Sequence, residues 1–138
     1  MSPTAFSYLN SRTEGSVLVI TINCPQLQDE KTAQTIQDEL LAARSQSGLI
    51  NVVVDLSNIR YISSVAFRPF LRMRRELQEI GGRLILCGLT RIVGDVFYTT
   101  RLVSTDGSFV APFEMAADVP AAVARLTEGS TRSSIRTD

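Results

Sequence analysis

Residues 52–67 read VVVDLSNIRYISSVAF, in which a run of valines leads through a short turn to two serines and the start of a helical pattern. The valines are β-branched and apolar on both faces up to Asp55, which is typical of a central strand covered from two sides. We expect the Asp55 carboxylate to accept hydrogen bonds from backbone N–H groups of the turn that follows. The strand itself is predicted over Asn51–Leu56.

The pattern after the serines predicts an amphipathic helix over Ala66–Ile80. Its apolar residues recur every three or four positions, arginines occupy another side, and Gly81 with Gly82 ends it. Pro69 cannot donate a backbone hydrogen bond, so we expect either an irregular first turn or a helix that begins one or two residues later. A strand over Leu84–Cys87 is predicted next.

Upstream of the valine run, the sequence predicts a hairpin and a first helix. Val17–Ile22 is a β-branched run too short for a helix, and Phe6–Leu9 is expected to pair with it across residues 11–16. Asp29 can cap a helix over Glu30–Ser45. One face of that helix is expected to be buried, because apolar residues recur on it at helical spacing: Ala33, Ile36, Leu40 and Ala43.

Downstream, Thr90 is expected to cap a short helix from Arg91 to about Thr100. Phe109–Phe113 is predicted as the last strand, and Pro112 within it places that strand at the edge of the sheet, because proline cannot donate to a ladder.

A final helix is predicted over Met115–Leu126, with Pro120 tolerated only near its first turn. Residues 127–138 are rich in Ser and Thr, and we expect them to form a disordered tail behind a single domain over residues 1–126. Because strands and helices alternate with short connections, the fold class is expected to be α/β, with a mixed sheet of four to five strands flanked by about four α-helices.

The composition excludes several classes of function. The chain has 138 residues, enough for one domain, and no histidine, which excludes Ser-His, Cys-His and His-metal sites. Fourteen basic residues balance fourteen acidic ones, so nothing favours binding to nucleic acid or to an anionic membrane. Cys24 and Cys87 are expected to be small buried hydrophobes, and no metal or cofactor is indicated. With no apolar run of about 18 residues and no signal peptide, we expect a cytoplasmic protein without direct membrane insertion.

Two interpretations of Ser64 remain open at this point. Ser64 is predicted as the N-cap of the second helix, because a serine oxygen can accept hydrogen bonds from the free N–H groups of a first turn. A helix N-terminus also favours an anion. A phosphate there, which adds about −1.5 to −2 charges, should be tolerated by the fold and sensed mainly by a docked partner.

The arginines of the second helix also allow two interpretations. Arg68, Arg72 and Arg75 share a face next to the serines, and such a face is often simply solvated. Alternatively, their guanidinium groups contact acidic residues of a partner and set its orientation. Glu76 and Glu79 could neutralise them within the helix.

The stretch VVDLSNIRYISSVAF at 53–67, followed by LRMRREL at 71–77 and GGRLILCGL at 81–89, resembles STAS domains, the family of bacterial anti-sigma factor antagonists. The segment PQLQD at 25–29, with Thr32 and Ala33, is similar to the family's loop into its first helix. The resemblance covers about Val17 to Leu126 and implies a STAS-like single domain. In such antagonists, an anti-sigma factor that is also a kinase phosphorylates a serine at the start of the second helix, and the unmodified form binds that kinase so that sigma is released.

The family's usual Asp-Ser-Ser/Thr-Gly stretch falls on residues 63–66, which implies Ser64 as the phosphoacceptor and Ser63 as the second choice. Three of the four positions differ from that pattern: Ser63 replaces the aspartate, Val65 the second hydroxyl residue and Ala66 the glycine. The acidic neighbour of the acceptor is therefore lost, and the approach to it is stiffer and more apolar.

The resemblance implies a regulator rather than an enzyme, with a serine kinase/anti-sigma factor and a serine phosphatase as partners and no cofactor of its own. A hydrolase is disfavoured because no base is indicated. The alternative is a non-phosphorylated STAS adaptor subunit of a larger assembly, either a stress-signalling complex or a transporter-associated one. Whether two copies form a homodimer is left open. The predicted partner-binding residues are Ser63, Ser64, Val65, Phe67, Arg68, Arg72 and Arg75.

Overall fold

A computed structural model of the chain describes residues 6–99 and 113–127. Within them, a five-stranded sheet has the order β1-β2-β4-β6-β7, and a separate pair, β3 and β5, lies beside it. The elements are β1 Leu9–Glu14, β2 Val17–Ile22, β3 Gln26–Leu27, α1 Glu30–Ser47, β4 Asn51–Asp55, β5 Tyr61–Ile62, a 3₁₀ turn Ser64–Ala66, α2 Phe67–Glu79, β6 Arg83–Cys87, α3 Arg91–Thr99, β7 Glu114–Ala116 and α4 at residues 119–127. The predicted fold class is confirmed, whereas the small β3–β5 pair was not predicted.

The central strand is the predicted one. β4 lies between β2 and β6, and β2, β4, β6 and β7 run parallel to one another. Alternate residues of β4 enter two separate cores: Val52 and Val54 pack on the side of α1, α2 and α3, whereas Val53 packs on the side of α4. The valine run is apolar on both faces because helices cover both faces.

The opening hairpin is confirmed, but the prediction that Phe6–Leu9 forms its first strand is wrong. β1 is Leu9–Glu14, antiparallel to β2, with Leu9 opposite Ile22 and Glu14 opposite Val17. The physical reason is the turn. Gly15 has φ +62°, a conformation that permits a tight two-residue connection, so that the pairing starts nearer the turn.

The predicted caps of the first and third helices are confirmed. The Thr32 N–H donates to Asp29 Oδ2 over 2.9 Å at the start of α1, and the Val93 N–H donates to Thr90 Oγ1 over 3.3 Å at the start of α3. α1 presents the predicted apolar face to the core.

The end of the described chain corrects two predictions. The last strand is Glu114–Ala116, at the edge beside β6, rather than Phe109–Phe113, of which residues 109–112 lie outside the described residues. Met115 therefore belongs to a strand, and the final helix begins only at residue 119. The cause is a local cap, since the Ala121 N–H donates to Asp118 Oδ1 over 2.9 Å. Of the predicted tail at 127–138, residue 127 belongs to α4, and residues 128–138 lie outside the described residues.

Candidate functional site

The two serines stand at the end of a short strand that is tied to the segment in front of α1. Arg60 N–H and Tyr61 N–H both donate to the Pro25 carbonyl, over 2.8 and 3.0 Å. β5 then pairs with β3, and the Ser63 N–H donates to the Leu27 carbonyl over 3.1 Å. These bonds join residues more than 30 positions apart, so the starts of α1 and α2 are held side by side.

The hydroxyl groups of the two serines have different surroundings. Ser63 Oγ donates to the Gln28 carbonyl over 3.0 Å and is thereby fastened to the start of α1. Ser64 is exposed, and its hydroxyl makes no hydrogen bond with any residue that the structure describes. Of the two hydroxyls, only that of Ser64 is presented to solvent without a protein acceptor in residues 6–99 and 113–127.

The prediction that Ser64 is a helix N-cap is wrong. The N-cap position of the 3₁₀ turn is Ser63, in extended conformation and without a side-chain capping bond. Ser64 is the first residue of the turn, and α2 starts three residues later. Pro69 explains the shift: with Ala66 as the cap of α2, the proline falls in the first turn, where its missing N–H costs nothing. The expected irregular start of this helix is confirmed.

The three residues that follow the serines in the chain are partly or fully buried. Val65 is half-buried and Ala66 is fully buried. Phe67, predicted to contact a partner, is only 5% exposed, and its ring lies 4.8 Å from that of Phe97. We therefore assign Phe67 to the core, where it anchors the start of α2 against α3.

The predicted arginine face lies at the surface of α2, next to Ser64. Arg68, Arg72 and Arg75 are all exposed. The nearest acidic group to Arg68 is Glu30 on α1, at 3.9 Å, and Arg75 meets Glu79 at the same distance. Arg72 makes no ion pair with a described residue. Glu76 does not neutralise these arginines, because it pairs with Arg44 of α1 over 3.0 Å.

A pocket of about 390 Å³ opens between β5, which leads into the serines, and the start of α3. It contains two of the most exposed large apolar side chains in the described chain, Tyr61 at 46% and Ile92 at 53%. Ser57, Arg60 and Thr90 complete its lining. No pattern in the sequence predicted this pocket. Only the position of Tyr61, three residues before Ser64, could have indicated that it lies near the site.

Two carboxylates near this edge of the sheet, Asp55 and Asp29, accept hydrogen bonds from nearby backbone N–H groups. The Ser57 N–H donates to Asp55 Oδ1 over 3.0 Å, as predicted for a turn acceptor. Hydrogen bonds from the Thr32 backbone and side chain hold the pKa of the exposed Asp29 carboxyl below its ordinary value.

Cys24 and Cys87 are free and buried, as predicted. Burial raises the pKa of Cys24, and burial together with the charges of Asp55 and Asp118 raises the pKa of Cys87 to about 12. Both thiols therefore stay protonated near neutral pH. The described residues hold no group of three metal-ligating side chains, and no described helix has the length and apolar character needed to span a bilayer.

The STAS domain family model matches residues 8–112, and the chain belongs to that family. BtrV of Bordetella bronchiseptica, assigned as an anti-sigma factor antagonist, is 36% identical over 72 residues. Those residues are 52% of this chain and 61% of BtrV, so the match spans less than two thirds of that relative.

Solved structures share the fold at low identity. A Thermotoga maritima protein, assigned as an anti-sigma factor antagonist, has a TM-score of 0.71 at 14% identity, with 86% of this chain and 94% of that one covered. The anti-sigma factor antagonist SpoIIAA in its unphosphorylated form has a TM-score of 0.67 at 21% identity, with 87% and 96% covered. The phosphorylated form of Bacillus SpoIIAA has a TM-score of 0.60 at 20% identity, with 86% and 98% covered.

Proposed function

We propose that this chain is an anti-sigma factor antagonist that binds a kinase-type anti-sigma factor, and that phosphorylation of Ser64 ends the binding. The docking surface consists of Ser63, Ser64 and the exposed arginines of α2, which are Arg68, Arg72 and Arg75. Ser64 is the phosphoacceptor. The chain is thus a binding partner and a substrate of the kinase rather than a catalyst.

The observation that carries the proposal is the contrast between the two serine hydroxyls. An acceptor must enter the active site of another enzyme, which requires an exposed hydroxyl that no bond of its own fold retains. Ser64 meets this requirement, whereas Ser63 Oγ is bonded to the Gln28 carbonyl. Phosphorylation of Ser63 would break that bond and disturb the start of α1.

The relatives support the same function. BtrV is assigned as an anti-sigma factor antagonist, and SpoIIAA of the same fold is known in unphosphorylated and phosphorylated forms. A fold that accommodates a phosphate in one member makes a serine switch in this chain reasonable. The departures at Ser63, Val65 and Ala66 then concern the kinase that recognises the segment, because Val65 presents a half-buried apolar side chain beside the acceptor.

The chemistry of the switch is a phosphoryl transfer. The kinase moves the γ-phosphoryl group of its ATP to Ser64 Oγ: the new P–O bond forms, ADP leaves, and the hydroxyl proton is released. A serine phosphatase reverses the change by hydrolysis. Because the kinase uses ATP, we place the protein in the cytoplasm.

A phosphate on Ser64 weakens the binding of the partner through its charge. It adds about −1.5 to −2 charges to a surface that otherwise offers exposed arginines. A partner whose acidic groups meet Arg72 and Arg75 then faces a like charge, and burying an unpaired phosphate between two proteins costs desolvation free energy. The unmodified form is therefore the binding form.

The test begins with the tagged chain, from which bound proteins are recovered in its own cells and identified by mass spectrometry. The recovered kinase is purified and titrated against the wild type, Ser64→Ala and Ser64→Asp. We expect Ser64→Ala to bind like the wild type but to gain no phosphoryl mass with ATP. We expect Ser64→Asp to bind at least about 1 kcal/mol more weakly.

Ser63→Ala is the matched control and should still gain one phosphoryl group. Equal affinities of Ser64→Ala and Ser64→Asp would contradict the switch. Recovery of a scaffold or transporter partner without any phosphate would instead identify the chain as a constitutive adaptor.

A further inference from the structure

Arg68 lies four residues after Ser64 in one continuous right-handed helical run. Ala66 and Phe67, between them, have φ −70° with ψ −16° and φ −73° with ψ −23°, so that the 3₁₀ turn passes directly into α2. Side chains three apart eclipse in a 3₁₀ turn, so Arg68 is the first residue past the position that eclipses Ser64. Its long side chain reaches Glu30 at the start of α1, the segment to which Ser63 is bonded through Gln28. An arginine side chain in a helix also leans toward the N-terminus, which here is toward Ser64.

The present partner of Arg68 is a weak one. Arg68 Nη1 lies 3.9 Å from Glu30 Oε1, and the two side chains are 68% and 74% exposed. Such a pair is largely screened by water and contributes little to stability. Arg68 can therefore exchange Glu30 for a stronger anion at small cost.

The helix that carries Arg68 offers no competing acid near its start. Neither the 3₁₀ turn nor the first turn of α2 contains an acidic residue. The family's aspartate is replaced by Ser63, whose hydroxyl is engaged with the Gln28 carbonyl. A phosphate on Ser64 would thus be the one anion on this part of the helix.

We propose, building on the function proposed above, that a phosphate on Ser64 forms an ion pair with Arg68 of the same molecule and so withdraws Arg68 from Glu30 and from the partner. A guanidinium group suits this role because two of its N–H groups can donate to two phosphate oxygens. Phosphorylation then acts in two ways: it adds a negative charge to the docking surface and also removes one of its cations. No movement of the backbone is required.

The charged groups around Ser64 determine whether the second pKa of a phosphate on Ser64 is raised or lowered. Arg68 on α2 favours the dianionic phosphate and lowers its second pKa, as does Arg60 from the β5 side. Of the residues at the start of α1, Asp29 and Glu30 raise that pKa, whereas Lys31 lowers it. Arg72 lies one further turn away and, being exposed, is screened by solvent.

The test uses the full chain with phosphoserine incorporated at position 64 during translation, titrated with pH by ³¹P NMR at low salt. We expect Arg68→Gln to raise the second pKa of the phosphate by roughly 0.5 unit. The matched control Arg72→Gln should change it by less than about 0.2 unit. Glu30→Gln should lower it, because this change removes a repelling carboxylate and frees Arg68.

Equal effects of Arg68→Gln and Arg72→Gln, or no effect of Arg68→Gln, would overturn the pairing. A phosphorylated chain whose circular dichroism shows it unfolded would overturn both the pairing and the proposed switch. Because no kinase takes part, the comparison of phosphate pKa values is independent of whether a kinase modifies Ser64 in cells, which the capture experiment decides.

Discussion

The Gly81-Gly82 turn joins α2 to β6, and the close approach of Gly82 to the backbone of Ile50 can be tested by substitution. A Cβ atom on Gly82 would lie 1.9 Å from the Ile50 carbonyl oxygen, where ordinary contact begins at 3.4 Å. That oxygen cannot easily retreat, because it accepts the Arg83 N–H over 3.1 Å at the start of β6. The Gly82 N–H in turn donates to the Leu77 carbonyl over 2.7 Å. Gly82→Ala must therefore displace the backbone by about 1.5 Å and strain these bonds.

We expect Gly82→Ala to lower the free energy of unfolding by about 3 kcal/mol, from overpacking and a weakened backbone hydrogen bond. Gly81→Ala is the matched control. Gly81 has φ +82° with open space around its Cβ position, so the substitution introduces only the left-handed conformation, at about 1 kcal/mol. Urea unfolding followed by far-UV circular dichroism measures both. A loss for Gly82→Ala no greater than that for Gly81→Ala would refute the reasoning.

Three further predictions concern the site and the core. Ser63→Ala should lower the free energy of unfolding by about 1 kcal/mol, since it removes the bond to the Gln28 carbonyl, whereas Ser64→Ala should leave it unchanged in the same urea titration. Ile92→Ser, in the pocket that Tyr61 also lines, should weaken binding to the recovered kinase at least about fivefold. Ile80→Ser, of similar exposure at the far end of α2, should have no effect on the same titration, and equal losses would remove the pocket from the interface. Burial raises the pKa of Cys87 to about 12 from an ordinary 9.0, so the stability from its protonated thiol is complete below pH 9 and is lost between pH 9 and 12. Cys87→Ala should therefore lose less stability than the wild type between about pH 8 and about pH 11, and identical slopes would show that this thiol is not responsible.

Several elements were predictable because their causes are local. The cap at Asp29 works within three residues, and the central strand follows from a β-branched run that is apolar on both faces. Pro69 correctly indicated an irregular helix start. The last strand and the start of the final helix were predicted less well, since alternating and helical patterns overlap where strand residues directly precede a helix cap. There, Asp118 decides the boundary and Met115 falls on the strand side.

The candidate site shows the same division more sharply. The position of the serines and the basic side of α2 can be read from the order of residues, because a strand, a turn and an amphipathic helix each follow from neighbours in the chain. The identity of the free hydroxyl could not be read in this way. It depends on the hydrogen bond from Ser63 to Gln28, 35 residues away in the chain. In the same way, the ion pair of Arg68 requires Glu30 on α1, and the burial of Phe67 requires Phe97 on α3. Local patterning thus specified which elements form, whereas only their packing specified which side chains remain available to a partner, because contacts between distant segments arise when the sheet and helices assemble.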